Sequence, residues 1–334
     1  MTEPTDASSS RSLRDLPKAH LHLHLEGGMR PSTLTELAEG YGMEVPTVRG
    51  FGSFADFADM YLAACDVLRT PEDLARLCTE TVLDGVEAGA VYIEPSFYLP
   101  HHNERLGPDE AVLEIVLDAF DAAGREHGMP WGLMLASDRT EDPALAVAQA
   151  RLAVAHRVRG IVSFGLANDE TLGPPEDFVE AYVIIRDGGL LSTPHAGELA
   201  GPESVRTAID VLGANRLQHG VRSIEDPDLV ARLADEGICC DVCPTSNVLL
   251  SVFPDLASHP LGALIDAGVP CSINGDDPLL FGPGLLEEYE LCRAELGLTD
   301  AQLASAAMAS LEHSGAPLDV QRAGLEGIAA WLRG

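Results

Sequence analysis

A chain of 334 residues with 46% hydrophobic residues and a formal charge of −32 is long enough for one large α/β domain and apolar enough to build a substantial core. The acidity excludes nucleic acid and anionic membrane surfaces as partners, because a phosphate-bearing surface needs Lys and Arg to neutralise it. No run of about 18 apolar residues occurs to cross a bilayer. Seven cysteines without disulfide-scaffold spacing point to a reducing, cytoplasmic setting.

In chain order, residues 1–14 read as a disordered tail, and 15–334 as a single domain. Short β-branched or apolar runs bounded by turn signals then recur at 19–25, 90–99, 130–137, 160–167, 190–196, 215–220, 238–244 and 269–275. Helical patterns such as "PALAVAQARLAVAHRV" and "DPDLVARLADEG" separate them, several ending in the glycine expected past a helix C-terminus. Eightfold strand–helix alternation predicts a parallel sheet closed into a (β/α)8 TIM barrel. An open doubly wound sheet would be expected to carry a glycine-rich phosphate turn after its first strand, and "HLEGGMR" is not that fingerprint. The connection after the first strand is too long for a barrel loop. Residues 28–88 are expected to form a helical insertion whose Phe54, Phe57, Met60, Tyr61 and Leu62 cover the barrel mouth as a lid, pack the insertion down, or both. Cys239, Cys240 and Cys243 fall on an apolar run and are read as packing residues. The lone lysine, Lys18, precedes the first strand, badly placed for Schiff-base chemistry or for bridging two metals.

The first strand, "AHLHLHL", spaces His20, His22 and His24 by two, which on a regular strand turns all three the same way, into the barrel. His22 and His24 lie nearest the C-terminal end, where barrel active sites sit, and two imidazoles at i, i+2 can grip one metal. His20, one pleat deeper, is expected to be structural. The fifth run ends "TPHAGE", with His195 and Glu198; the sixth ends "LQHG", with His219; the eighth ends "NGDDP", with Asp276 and Asp277. Polar residues at four strand ends point to a metal site. A set of three neutral nitrogens and one carboxylate, with room for a water, suits zinc, although ligand type alone also admits iron or manganese. Bound zinc lowers the pKa of a water toward about 7. His219 and Asp276 are placed to orient or deprotonate that water, and Glu198 to donate a proton, provided that its surroundings keep it protonated.

The pieces "PKAHLHLHLEG", "VYIEPSF", "GLANDE", "HAGE", "RLQHG", "VCPTSN" and "INGDDP", in this order, resemble the adenosine deaminase family of metal-dependent barrel hydrolases. The resemblance implies zinc on His22, His24, His195 and Asp276, Glu198 as the acid that protonates the purine ring nitrogen, and His219 as the assistant to the hydrolytic water. It implies Asp277 hydrogen-bonded to the five-membered ring. It places Glu26, Ser96 and Asn168 at the substrate rim, with Glu26 where a sugar hydroxyl would be held. Glu26 stands where the family has Asp, Ser96 where it has Arg, and Asn168 where it has Gly. The expected reaction is hydrolytic deamination of a 6-aminopurine nucleoside, with aminofutalosine, adenine or another modified adenosine as alternatives. The non-enzyme alternative is a metal-binding pseudoenzyme. A cytidine-type zinc deaminase would need a Pro-Cys-x-x-Cys after His24-Leu25-Glu26, and none follows.

Overall fold

The computed structural model describes residues 11–334. Eight parallel staves form the barrel: β1 (Lys18–His20), β2 (Ala90–Ile93, continued by Ser96–Phe97), β3 (Leu133–Asp138), β4 (Ile161–Ala167), β5 (Leu191–Ser192, continued by His195–Ala196), β6 (Arg216–His219), β7 (Cys239–Val242) and β8 (Cys271–Ile273). Six fall inside runs read from the sequence; β3 extends one residue past its run, to Asp138, and β1 is shorter than its run and begins one residue earlier, on Lys18. All pairings are parallel. The ring closes through residues beyond β1: the His24 amide donates to the Asp276 carbonyl at 3.0 Å, the Asp276 amide to the His22 carbonyl at 3.0 Å, and the Leu25 amide to the Ser96 carbonyl at 2.8 Å. These bonds draw the ends of β1, β2 and β8 together at the mouth. Among the described residues no helix is long and apolar enough to cross a membrane.

The insertion after β1 carries three helices, α1 (Pro31–Gly40), α2 (Phe54–Cys65) and α3 (Pro71–Glu87). α3 starts on a reciprocal capping box between Thr70 and Asp73 with Pro71 at its first position, a sharp start signal. Its apolar residues Leu74, Leu77 and Val82 are buried, and it packs on the helix Asp109–His127. α2 plays the other part, presenting Phe54, Phe57, Ala58, Tyr61 and Leu62 to the cavity at the mouth.

The tail boundary is revised. Residues 1–10 lie outside those described, but 11–14 are tied down: Arg11 pairs with Asp300 at 2.8 Å and Leu13 is buried in the core. Lys18 is buried as well, donating to the carbonyls of Leu13 and Leu16 at 2.9 and 3.2 Å, and burial lowers its pKa to about 8. It anchors that segment to the barrel floor.

The three histidines do not share one face. The amides of Leu21 and His22 both donate to Asn274 Oδ1, at 2.8 and 3.1 Å. Successive amides on a pleated strand point to opposite sides, so this shared acceptor breaks the alternation between His20 and His22. His20 turns to a separate cavity, accepts the Gly275 amide on Nε2 at 3.1 Å, and burial lowers its pKa to about 3. A neutral hydrogen-bonded imidazole of this kind is structural, as expected.

Candidate metal and active site

At the mouth, the staves present His22, His24, His195, His219, Glu198, Asp276 and Asp277 around one point. His22 Nε2 and His24 Nε2 lie 3.3 and 3.4 Å from the same atom, Asp276 Oδ1. The His195 ring stacks on His24 at 5.3 Å and meets His22 edge-on at 5.1 Å. His22, His195 and His219 form one set with metal-ligating spacing, and His24, Asp276 and Asp277 a second. His22 Nδ1 is hydrogen-bonded to the Asp241 carbonyl at 2.9 Å and His195 Nδ1 to the Leu166 carbonyl at 3.1 Å. A carbonyl can only accept, so both Nδ1 atoms carry the proton and both Nε2 lone pairs are free to coordinate. His22 Nε2 is buried with no hydrogen-bond partner. An orphaned imidazole nitrogen facing a carboxylate and two further imidazoles fits a divalent cation bound by neutral nitrogens and one oxygen.

Backbone strain gathers here. Asn168, His219 and Asp276 adopt positive φ of 78°, 71° and 58°, a region that costs a non-glycine residue of order 1 kcal/mol or more and that clusters at functional sites. Gly27 makes room for Asp277: a Cβ on it would lie 1.8 Å from Asp277 Oδ1.

Glu198 is 5% exposed, and burial, together with the charges of Asp276 and Glu170, pushes its pKa well above the carboxylate range. Its Oε1 lies 3.4 Å from His219 Nε2. The loop beneath it is held by Glu170, whose carboxylate accepts from the amides of Gly197, Glu198 and Ala200, the last two at 2.9 Å, and from the Ser204 hydroxyl. Asp276 is held well below the usual range: burial opposes ionisation, but His22, His219 and His24 outweigh it. Asp277 is pushed well up by burial and by the neighbouring Asp276 charge. The two adjacent aspartates are thus pushed in opposite directions.

The cavity above this cluster has a volume of about 400 Å³, within the usual range for small-molecule sites. Its far wall carries Tyr98, Asp138, Thr140 and Glu141, and no Lys or Arg lines it among the described residues.

The two rim residues Glu26 and Asn168 are differently placed. Glu26 does not line the cavity: its carboxylate takes the Tyr61 hydroxyl on Oε2 at 2.9 Å and His102 Nε2 on Oε1 at 2.6 Å. Burial alone would raise its pKa; the His102 contact outweighs that and holds it low. Asn168 does line the cavity, but its amide donates to Asp138 at 2.7 Å and its oxygen accepts the Asp169 amide at 2.7 Å, so the side chain is engaged by its own loop. Ser96 lines the cavity with its hydroxyl unpartnered. Sequence reasoning missed Glu170 and Asn247, although both lie in matched pieces, "GLANDE" and "VCPTSN". Cys243 is fully buried, as its packing reading requires, and burial raises its pKa, although its thiol lies within 4.8 Å of the candidate ligand atoms of His22 and Asp276. The other thiols of that cluster, Cys239 and Cys240, are buried in the core as expected.

A parallel barrel with imidazoles and carboxylates converging at the C-terminal ends of its staves is the architecture of a metal-dependent hydrolase. The adenosine deaminase family model matches residues 17–331, and the chain belongs to that family of hydrolytic purine deaminases. It is 46% identical over 340 residues to a putative adenosine/adenine deaminase of Streptomyces virginiae, covering 97% of this chain and 99% of that protein. Among solved structures, an adenine deaminase from Arthrobacter aurescens superposes with a TM-score of 0.89 at 29% identity, over 95% of this chain and 99% of that one. A zinc-bound amidohydrolase from Burkholderia ambifaria superposes with a TM-score of 0.88 at 29% identity, over 99% and 94%.

Proposed function

We propose that the chain is a zinc-dependent deaminase of free adenine, replacing the exocyclic amine with oxygen to give a 6-oxopurine and ammonia. The observation that carries the reaction class is Glu198, a carboxylic acid kept protonated by burial, 3.4 Å from His219 and beside the imidazole–carboxylate cluster. In this reading His22, His24, His195 and Asp276 hold the metal. Zinc, when bound, supplies a Lewis acid that brings the pKa of a water toward about 7. Glu198 gives its proton to the ring nitrogen beside the reacting carbon, which makes that carbon electrophilic. His219 assists the attacking water. Asp277, protonated, donates to a nitrogen of the five-membered ring, and Ser96 offers its hydroxyl to the ring edge.

Three features favour the uncharged free base over the nucleoside expected from the sequence. The Glu26 carboxylate, which the resemblance assigns to a sugar hydroxyl, is bound by Tyr61 and His102. The cavity wall carries Asp138 and Glu141 and, among the described residues, no Lys or Arg to receive a phosphate or the carboxylate of aminofutalosine. The solved adenine deaminase superposes over nearly the whole chain.

The test is ammonia release from zinc-loaded protein with adenine, adenosine, adenosine monophosphate and aminofutalosine. The highest kcat/KM is expected for adenine. Preference for adenosine would overturn the free-base assignment while keeping the chemistry. Stoichiometric zinc with no turnover of any 6-aminopurine would leave a metal-binding protein.

A further inference from the structure

His219 faces the reacting point with Nε2 and is tied on its other side to a short polar chain whose direction can be worked out bond by bond. The Leu261 backbone amide points at His259 Nδ1 at 3.3 Å. An amide N–H only donates, so His259 Nδ1 is an acceptor and the proton of the neutral ring sits on Nε2. Burial supports the neutral form by lowering the His259 pKa to about 4. His259 Nε2 lies 3.1 Å from Asn247 Oδ1, so it donates there and settles which end of the Asn247 side chain is oxygen. The Asn247 NH2 group is then the end 3.1 Å from His219 Nδ1. An NH2 group only donates, so His219 Nδ1 must accept, and the proton of the neutral His219 ring is left on Nε2. Asn247 and the His219 side chain are almost wholly buried, so no bulk water competes for these bonds. The other end agrees: Nε2 looks at Glu198 Oε1 at 3.4 Å and Asp276 Oδ2 at 3.8 Å, both oxygens that can accept.

We infer that Asn247, oriented by His259, fixes His219 as its Nε2–H tautomer, so that this imidazole donates a hydrogen bond into the site and does not take the proton of the attacking water. The tautomer follows from the hydrogen bonds alone. Only its consequence rests on the deaminase reading: the donated N–H orients the attacking oxygen and stabilises the charge it carries, and the water's proton passes to the Asp276 carboxylate, whose Oδ2 lies 3.8 Å from His219 Nε2, and leaves with the ammonia. Asn247 and His259 are positioning residues, since neither lines the cavity.

The test is a 15N–1H correlation spectrum of protein labelled at histidine, recorded with zinc bound and again after chelation, with no substrate. His219 is expected to show a protonated, pyrrole-type Nε2 and an unprotonated, pyridine-type Nδ1. In Asn247→Asp a carboxylate that only accepts replaces the donor, so the pattern should invert, with the proton drawn to Nδ1. Zinc content and KM should hold within a few-fold while kcat falls by about 10²-fold, the low end of what an acid–base or orienting group contributes. A protonated Nδ1 in the wild-type spectrum would overturn the inference even if Asn247→Asp does not fold. So would an Asn247→Asp protein with unchanged spectrum and unchanged kcat. Neither result depends on which purine is the substrate, so failure here is separable from failure of the adenine assignment.

Discussion

The barrel interior has two polar layers that treat charge in opposite ways. In the lower layer Arg216, fully buried at the start of β6, lies between Glu94 Oε1 at 2.6 Å and Asp241 Oδ2 at 2.9 Å. Ser163 and the Gly315 amide complete Glu94 at 2.8 and 2.9 Å, and Ser272 completes Asp241 at 2.7 Å. The carboxylates outnumber the cation, and the hydroxyl and amide donors reach both Glu94 oxygens and Asp241 Oδ1. At the mouth, a few ångströms up the same staves, His22 Nε2 and Asp277 Oδ1 are buried without partners, and His219 and Asp276 hold strained backbones. The floor is charge-paired, Arg216 lying against both carboxylates, although Arg216 Nε and Asp241 Oδ2 meet as an ion pair without hydrogen-bond geometry. A charge-paired buried network fixes a structure, and an uncompensated, strained one is what binding a cation or substrate can complete. The layers are wired together, since Asn274 donates to Ser272 at 2.7 Å and receives the Leu21 and His22 amides. The floor thereby sets the direction of the first metal-facing histidine.

This contrast can be broken by variants that sort activity from stability. The largest effect on turnover is expected for Glu198→Gln, which cannot donate the proton: kcat should drop by about 10²–10⁴-fold with zinc content and thermal midpoint held, as metal analysis and calorimetry would show. The floor should behave in reverse. Arg216→Met strands two buried carboxylates and is expected to cost about 3–5 kcal/mol of stability in urea, while the protein that remains folded keeps its zinc and its KM. An Arg216→Met protein as stable as wild type would erase the distinction between the layers. Next comes His195→Ala. Zinc at 100 times its Kd stabilises the wild-type protein by about 2.7 kcal/mol, and that increment should vanish in the variant and in chelated wild type.

The pH dependence sharpens the comparison. The active form of Glu198 is protonated and its pKa is raised, so turnover is expected to persist well above the usual carboxylate range and to fall as pH rises through the folded pKa. A profile of kcat in Glu198→Gln should lack that limb. The smallest effect is expected for Tyr61→Phe, which removes one hydrogen bond between α2 and Glu26. It should cost about 1 kcal/mol, read as a several-fold rise in KM for adenine with little change in stability.

The sequence carried much of the site because barrel chemistry sits at strand ends, and strand ends are visible as apolar runs closing on polar residues. "TPHAGE", "LQHG" and "NGDDP" could be read that way, and the structure brings His195, Glu198, His219, Asp276 and Asp277 together. What stayed hidden were interactions between distant segments. Glu26 could be placed at the rim, but not matched to Tyr61 and His102, which lie 35 and 76 residues away. Asn168 could likewise be placed at the rim, but not its bonds to Asp138, 30 residues away, and to the Asp169 amide. The expectation that His20, His22 and His24 share a face failed because Asn274, 252 residues from His22, draws two successive amides to one side.

By itself, the sequence determined the barrel, the rank order of its staves and the residue types at its mouth, because hydrophobic periodicity and turn chemistry are local properties of the chain. Only the tertiary structure decided which of those groups are free and which are already bound, which carboxyls are driven to protonate, and which nitrogen of His219 bears the proton. Those are properties of buried neighbours and their hydrogen bonds, and neighbours far apart in sequence are fixed only when the barrel closes.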